Sequence, residues 1–258
     1  LAQGLFFWGS DRLQHIALRA DAAIVVSPVA AAEVRSHFGF TGQLEVIPNG
    51  VERRSGAATA ESLLPDGGVN CAATSPGLRV IWIGTAPYKK GLDLALAACA
   101  EARAHGQDLT LTVVGVSRER SGTGSGSLAP WIAWRGAIPP AEVDELLAHH
   151  DVLLAPTRYE PCGMTILEAL AAGLPVVGSK VVEWMIEGAG EVVASEDPAD
   201  YCQALRRVAD PDYRHGLAVA AKMRARAFSW DQAVASYASV LAAVLDRSQG
   251  HQTEERPT

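Results

Sequence analysis

The chain has 258 residues, 48% of them hydrophobic, which excludes a mostly disordered polypeptide and supplies a substantial core. Acidic residues number 29 and basic residues 22, a net charge of −7, which excludes bulk nucleic-acid binding through a broad basic face. At a typical domain size of about 150 residues, the length fits one large domain, or one domain and part of another.

Apolar runs alternate with helical patterns from residue 22 onward. AAIVVS (22–27) reads as a strand, followed by the helical PVAAAEVRSHFG. LEVIPNG (44–50) reads as a strand ending in an Asn-Gly turn. RVIWIG (79–84) is a strand closed by Gly, followed by the amphipathic GLDLALAACAEARAHG. LTLTVVG (109–115), WIAWRGAI (131–138), DVLLAPT (151–157), LPVVGS (174–179) and GEVVAS (190–195) are further strands. Helices are expected at PPAEVDELLAHH, at TILEALAAG (165–173), at ADYCQALRRVAD and around 231–246. Continuous apolar strands between helices belong to a parallel sheet buried on both faces. The fold class is therefore α/β, a doubly wound, Rossmann-like parallel sheet. Residues 78–228 hold enough strands to close such a sheet, whereas residues 1–51 hold about one and a half βα units. Residues 52–77 are rich in Ala, Ser, Gly and Pro and read as an interdomain linker. RERSGTGSGS (118–127) reads as a flexible loop. Residues 247–258 read as a disordered tail.

The four cysteines, Cys71, Cys99, Cys162 and Cys202, are widely spaced, with no C-x-x-C or Cys/His ligand pattern. Reduced thiols in a cytoplasmic protein are expected, and no zinc site. No apolar run reaches the roughly 18 residues that span a bilayer. The start, LAQGLFFWGSDRLQ, lacks the basic region of a secretory signal. Its first residue is Leu, which reads as a fragment or a processed product.

Ligands on such sheets bind at the carboxyl ends of strands, beside helix N-termini. Three places qualify. In GTAPYKKG (84–91), Gly84 permits a tight exit and Lys89 and Lys90 precede the next helix. They can hold a phosphate, or they can be two solvated lysines. The helix dipole disfavours the second reading, as does the scarcity of Lys, which occurs only at 89, 90, 180 and 222. In RYEPCGMTILEAL (158–170), Glu160 lies in a strand-end loop, Gly163 leaves room for a ligand, and Met164 and Thr165 offer free amides to an anion. Glu168 can accept hydrogen bonds from a diol, or it can be an acid placed to suit the dipole. WRGAIPP (134–140) is a strand end able to read a base edge, or a plain turn. His149 and His150 end a helix and read as partners of its C-terminal dipole.

These segments, in this order, resemble the donor-binding half of a retaining glycosyltransferase of the GT-B fold, family 4 (glycosyl transferases group 1). EPCGMTILEALAAGLPVVGS carries the strongest match, an E-x7-E pattern from Glu160 to Glu168 followed by E-A-x-A-x-G-x-P-V-V. Gly84 to Gly91 matches the first phosphate loop. ADAAIVVS and LEVIPNGV resemble the end of the family's N-terminal domain, and FSWDQAVASYASVLAAVL (228–245) the terminal helix that crosses back to it. The resemblance implies a GT-B architecture. Residues 1–51 would be the end of an incomplete N-terminal acceptor domain, 78–228 the donor nucleotide-sugar domain and 229–246 the crossing helix.

It also implies a transfer from a nucleoside-diphosphate sugar with retention at the anomeric carbon. Glu160 would contact hydroxyls of the transferred sugar and Glu168 those of the ribose. Lys90 would pair with the diphosphate, and Glu160 and Lys90 together would be the catalytic pair. Amides around Cys162, Gly163, Met164 and Thr165 would cradle the phosphates, with Gly84, Thr85 and Lys89 beside them. The backbone near Ile138 would meet the base. Lys90 and a helix N-terminus can stabilise the charge on the leaving diphosphate, so no metal or other cofactor is expected. The partners implied are the nucleotide-sugar donor and an acceptor that is a glycan, a lipid or a small molecule. An N-terminal half, peripheral membrane contact and no nucleic acid complete the set.

Three departures from the family pattern stand out. Family members commonly carry Arg soon after the first Gly, where this chain has Thr85, so either Lys89 replaces that cation or the diphosphate is held more weakly. The glycine-rich loop after Ser179 is replaced by KVVEWMIEGAG. Residues 1–51 contain no counterpart of the acceptor site. A non-catalytic nucleotide-sugar-binding module is the alternative reading. A nucleotide-sugar epimerase of similar architecture fits the E-x7-E segment less well.

Overall fold

The computed structural model describes residues 20–52, 77–122 and 129–254. Most of the expected linker (52–77), part of the 118–127 loop, Cys71 and the last four residues lie outside the described residues. The chain divides into two compact units, residues 51–228 and residues 1–50 with 229–258.

The larger unit is a six-stranded sheet. In chain order its elements are β3 (Leu78–Ile83), α2 (Leu92–Ala104), β4 (Leu109–Val114), β5 (Ile132–Gly136), α3 (Pro140–Ala148), β6 (Val152–Ala155), α4 (Met164–Ala172), β7 (Val176–Ser179), the one-turn α5 (Glu183–Ile186), β8 (Gly190–Val193), α6 (Pro198–Val208) and α7 (Pro211–Arg224). The strand order is β5-β4-β3-β6-β7-β8, and every pairing is parallel. Each strand sends alternate side chains to opposite faces. On β3, Val80 and Trp82 join one core with α2 and α6, and Ile81 joins the other with α4 and α7. On β6, Val152 and Leu154 join the first core and Leu153 the second. Both faces are covered, which is why these strands read as unbroken apolar runs. The α/β doubly wound, Rossmann-like architecture expected from the sequence is the one observed.

At the amino ends of the two central strands, Arg79 and Asp151 lock their register. The Arg79 amide and Nε both donate to Asp151 Oδ2, at 2.8 and 3.0 Å, and Nη2 donates to Oδ1 at 2.9 Å. Burial alone would raise the Asp151 carboxyl, but these bonds outweigh it and hold it below the usual range.

The smaller unit pairs β1 (Ala22–Val25) with β2 (Gln43–Val46) in parallel, through α1 (Pro28–Phe38). The buried Ser27 caps α1, its Oγ accepting from Ala30 N at 3.0 Å, and Pro28 follows it at the helix start. The final helix α8 (Trp230–Glu254) packs Ala233 and Val240 against Ile47, Ala22 and Ile24. It leaves Val234, Leu241 and Leu245 exposed. No described helix is long and apolar enough to cross a membrane.

Three sequence expectations are corrected. The final helix runs to Glu254, beyond the break expected at 246. The segment 211–224 forms α7, where no helix was expected, capped by Asp210 Oδ1 accepting from Tyr213 N at 2.8 Å. Finally, His150 is not a charged partner of the α3 dipole. Its Nδ1 lies 2.5 Å from Leu146 O, its Nε2 lies 2.8 Å from Thr112 Oγ1, and burial pushes it down to about 4. His149 does serve the helix end, with Nδ1 at 2.7 Å from Glu145 O.

A histidine buried neutral binds its proton more weakly folded than unfolded. Stability then falls as pH drops from the unfolded value of 6.5 towards the folded value of about 4, and is fully present above 6.5. The shift corresponds to about 3 kcal/mol. Denaturant unfolding across this window is expected to show that loss, and His150→Gln to flatten it. An equal slope in the variant contradicts the assignment.

Candidate functional site

The strand order reverses between β3 and β6. From β3 the chain winds outward to β4 and β5, then returns to β6 and winds the other way. Crossover helices leave in opposite directions at such a point, and a crevice opens between the two strand ends. Both phosphate-loop candidates lie there, one after β3 and one after β6.

The β3 loop is held close to the β6 loop. Gly91 adopts φ +67°, and a Cβ on it would sit 1.9 Å from Pro156 O, so only Gly permits this approach. The Lys90 carbonyl accepts from the indole Nε1 of the buried Trp82 at 3.0 Å. The Lys89 carbonyl accepts from the Arg158 amide at 2.9 Å and from Thr157 Oγ1 at 3.1 Å. Thr157 is in turn tied to β7, its carbonyl accepting from the buried Ser179 hydroxyl at 2.6 Å. Arg158 completes the clamp. Its Nη1 and Nη2 donate to Asp93 Oδ1 and Oδ2, each at 2.8 Å. Nη1 also donates to Tyr88 O and Nε to Glu196 Oε2, again at 2.8 Å. The guanidinium stacks 4.4 Å from the centre of the Tyr88 ring. The two charges reinforce each other. Hydrogen bonding to Asp93 holds Arg158 above its usual range, and Arg158 holds Asp93 below the usual carboxylate range.

This scaffold brings Lys90 and Glu160 together. Lys90 Nζ donates to Glu160 Oε2. The Glu160 side chain is only 7% exposed, whereas that of Lys90 is 30% exposed. Gly163 packs on the same carboxylate, and a Cβ there would lie 3.2 Å from Glu160 Cδ. The glycine thus makes room for Glu160. Beside the pair, α4 begins at Met164 with no side chain capping it. Its first amides have no carbonyl within the helix to bind and point at the crevice end of the helix. Lys90, Glu160, Gly163, Thr165 and Ile166 line a narrow cleft, floored by residues of β3 and β6.

The other expected site residues fall around this centre. Gly84 lies against Lys90, with the positions of Lys90 Cγ and a Cβ on Gly84 3.0 Å apart. Thr85 is exposed on the same loop, and the exposed Lys89 places Nζ 4.5 Å from the centre of the Tyr159 ring. Met164 is exposed at the start of α4, and Glu168 is half-buried one turn further along. Cys162 and Ile138 are half-buried and pack against the core on the α4 face, outside the cleft lining. In place of the glycine-rich loop, residues 180–186 form a 3-10 turn and α5. Arg224 of α7 holds that segment, its Nε donating to Met185 O at 3.0 Å and its Nη2 to Trp184 O. Sequence reading missed Arg158, Thr157, Trp82 and Ser179. Only Arg158, two residues before Glu160, carried a local signal.

A parallel sheet with a cleft at its switch point, beside an uncapped helix and a Lys–Glu pair, is a Rossmann-like arrangement of the kind that binds ligands at its strand ends. The model of the family glycosyl transferases group 1 matches residues 77–210, just over half of the chain. The chain belongs to that family. A D-inositol 3-phosphate glycosyltransferase of Geodermatophilus obscurus is 37% identical over 117 residues, which are 42% of this chain and 25% of that protein. The chain thus matches about a quarter of that relative's length. Sucrose-phosphate synthase from Thermosynechococcus elongatus superposes with a TM-score of 0.75 at 25% identity, covering 91% of this chain and 61% of that one. A glycosyltransferase from Rickettsia africae superposes at 0.73 with 14% identity, covering 92% and 68%, a likeness of fold.

Removing Lys90 would leave the buried Glu160 carboxylate without its cation, a loss on the order of 2 kcal/mol. Lys90→Ala is therefore expected to be less stable in urea than the Lys90→Ala, Glu160→Gln double variant, in which no buried charge is left unpaired. Equal stability of the two would mean that the pair is not the buried ion pair described.

Proposed function

We propose that this chain carries the donor site of a glycosyltransferase of family 4, which moves a sugar from a nucleoside-diphosphate sugar to an acceptor with retention of anomeric configuration. The observation that carries the reading is the Lys90–Glu160 pair at the switch point, beside the uncapped start of α4. Family membership supports it.

In this reading the diphosphate occupies the mouth of the cleft. Lys90 Nζ and the first amides of α4, at Met164 and Thr165, face its oxygens. Negative charge grows on those oxygens as the glycosidic bond breaks. A fixed cation and a helix N-terminus stabilise the transition state more than the ground state, which lowers the barrier. These groups take the part that a divalent cation plays in other nucleotide-sugar sites. Lys89 adds positive charge at the position that Thr85 does not fill. Glu160 exchanges part of its bond to Lys90 for hydroxyls of the transferred sugar, and Glu168 accepts from the ribose. The backbone near Ile138 meets the base. The acceptor, a glycan, a lipid or a small molecule, is met by a preceding half of the protein, from the face where the sugar is exposed. Attack from the side the leaving group departs gives retention.

A panel of UDP, GDP, ADP and dTDP titrated calorimetrically into this chain tests the reading. One nucleotide is expected to bind. Lys90→Ala removes a charge-assisted contact worth about 1.5–3 kcal/mol, a loss of roughly 10- to 100-fold in affinity. Glu168→Ala weakens binding of the same nucleotide. No binding of any of the four, or binding indifferent to both substitutions, contradicts the donor site.

In a protein extended upstream to its full length, Glu160→Gln is expected to lower transfer by about 100-fold or more. EDTA is expected to leave transfer unchanged. A rate that persists in the variant, or that collapses in EDTA, contradicts the mechanism.

A further inference from the structure

The helices α2 and α6 pack side by side over one face of the sheet, sharing a core with Cys99 and Cys202. At the far end of α2 from the crevice, three side chains meet that the donor site does not use. Glu101 lies in the last turn of α2 and His105, four residues on, is the residue that caps its end, so the two share one side of the helix. Cys202, from the second turn of α6, faces them. Its Sγ lies 3.9 Å from His105 Nδ1. The carboxylate, the imidazole and the thiol all place one donor atom within 4.8 Å of the other two. None of the three lines the cleft.

The chemistry of the trio is that of a metal site. A thiolate, an imidazole and a carboxylate are the three side-chain ligand types of Zn²⁺. Around tetrahedral Zn²⁺, with bonds of about 2.0–2.3 Å, neighbouring donor atoms stand roughly 3.3–3.6 Å apart. The observed spacing needs only small side-chain rotations to reach this. Cys202 is buried, Glu101 half-buried and His105 exposed, so an ion can enter from solvent and be held on its inner side. The charges also favour a cation. Among the described residues, the Glu101 carboxylate is in no ion pair, and its charge opposes ionisation of the neighbouring thiol. Burial, then Glu101, push the Cys202 thiol up, and Arg206 pulls it down more weakly. A divalent ion reverses the effect of Glu101 on the thiol and pairs both groups.

We propose that Glu101, His105 and Cys202 bind one borderline divalent transition-metal ion of the Zn²⁺ type, which staples α2 to α6, with water as the fourth ligand. On binding, Cys202 releases its proton to solvent, and the sulfur lone pair forms the metal bond. Affinity therefore rises with pH until the thiol is ionised. The site crosslinks the two helices whose first turns Arg158 also joins, through Asp93 on α2 and Glu196 just before α6. The proposal does not depend on the donor reading, and nucleotide binding can fail while this site holds.

Co²⁺ titrated into the full chain under reducing conditions tests it. One equivalent is expected to bind, with thiolate-to-metal charge-transfer absorption in the near ultraviolet and tetrahedral ligand-field bands in the visible. Zn²⁺ is expected to displace it and to raise the melting temperature. Cys202→Ser is expected to abolish the charge-transfer band. His105→Ala, at an exposed position, and Glu101→Gln, a near-isosteric change at a half-buried one, are expected to weaken binding at least tenfold while the far-ultraviolet spectrum is unchanged. They decide the matter should Cys202→Ser fail to fold. Absence of stoichiometric Co²⁺ uptake, a charge-transfer band that persists in Cys202→Ser, or affinity unchanged in His105→Ala overturns the proposal.

Discussion

A carboxylate buried at the end of a parallel sheet needs a cation, and Lys90 supplies it to Glu160 across the gap between β3 and β6. The pair exists only because the strand order reverses there. With crossover helices diverging to either side, no described helix of the larger unit covers the gap. Two loops from strands that are neighbours in space but distant in sequence can then meet over it. The buried charge also keeps the site polar amid two apolar cores. Glu160 without Lys90 would carry a desolvation cost that the fold nowhere offsets. Lys90 is the more exposed partner, so it is the one a diphosphate can reach. In the donor site proposed above, an anion entering the cleft competes with Glu160 for one cation, and the freed carboxylate oxygen becomes available to sugar hydroxyls.

The rest of the larger unit holds that meeting point still. Trp82, Thr157 and the Arg158 amide each bind a carbonyl of Lys89 or Lys90, which fixes the loop backbone while leaving both ammonium groups to side-chain geometry. The Arg158 guanidinium ties the same loop to α2 and to the turn before α6. Its partners Asp93 and Glu196 are half or more exposed, so each pair is worth little alone. Their value lies in the planar, stacked and multiply bonded guanidinium, which resists rotation. A rigid loop costs nothing to organise at the moment charge develops, which is what electrostatic stabilisation requires.

Much of this was legible in the sequence. The strands were readable because both faces of the sheet are buried, so β-rich apolar runs stand out against polar helices. The site segments were readable because their signals are local: Gly before a turn, adjacent lysines in a Lys-poor chain, two acids eight apart. Helix α7 was missed because Gly216 and a mixed small and polar pattern blur its periodicity, although Asp210-Pro211 marked its start. What failed was everything that depends on distant partners. Arg158 finds Asp93 across 65 residues, and His150 finds Thr112 across 38. Cys202 meets His105 across 97 residues, so a search for closely spaced ligands passed over the Glu101–His105–Cys202 cluster. Burial of His150 likewise overrode the dipole argument, because desolvation outweighs a favourable helix end.

The central claim is that the Lys90–Glu160 pair and the start of α4 form one diphosphate site. A crystal structure of this chain with the nucleoside diphosphate that calorimetry selects tests it most directly. The account predicts phosphate oxygens within hydrogen-bond distance of Lys90 Nζ and of the Met164 or Thr165 amide, with the ribose at Glu168. A nucleotide seated away from the β3–β6 crevice, with Lys90 still bound to Glu160 as its sole partner, would contradict it.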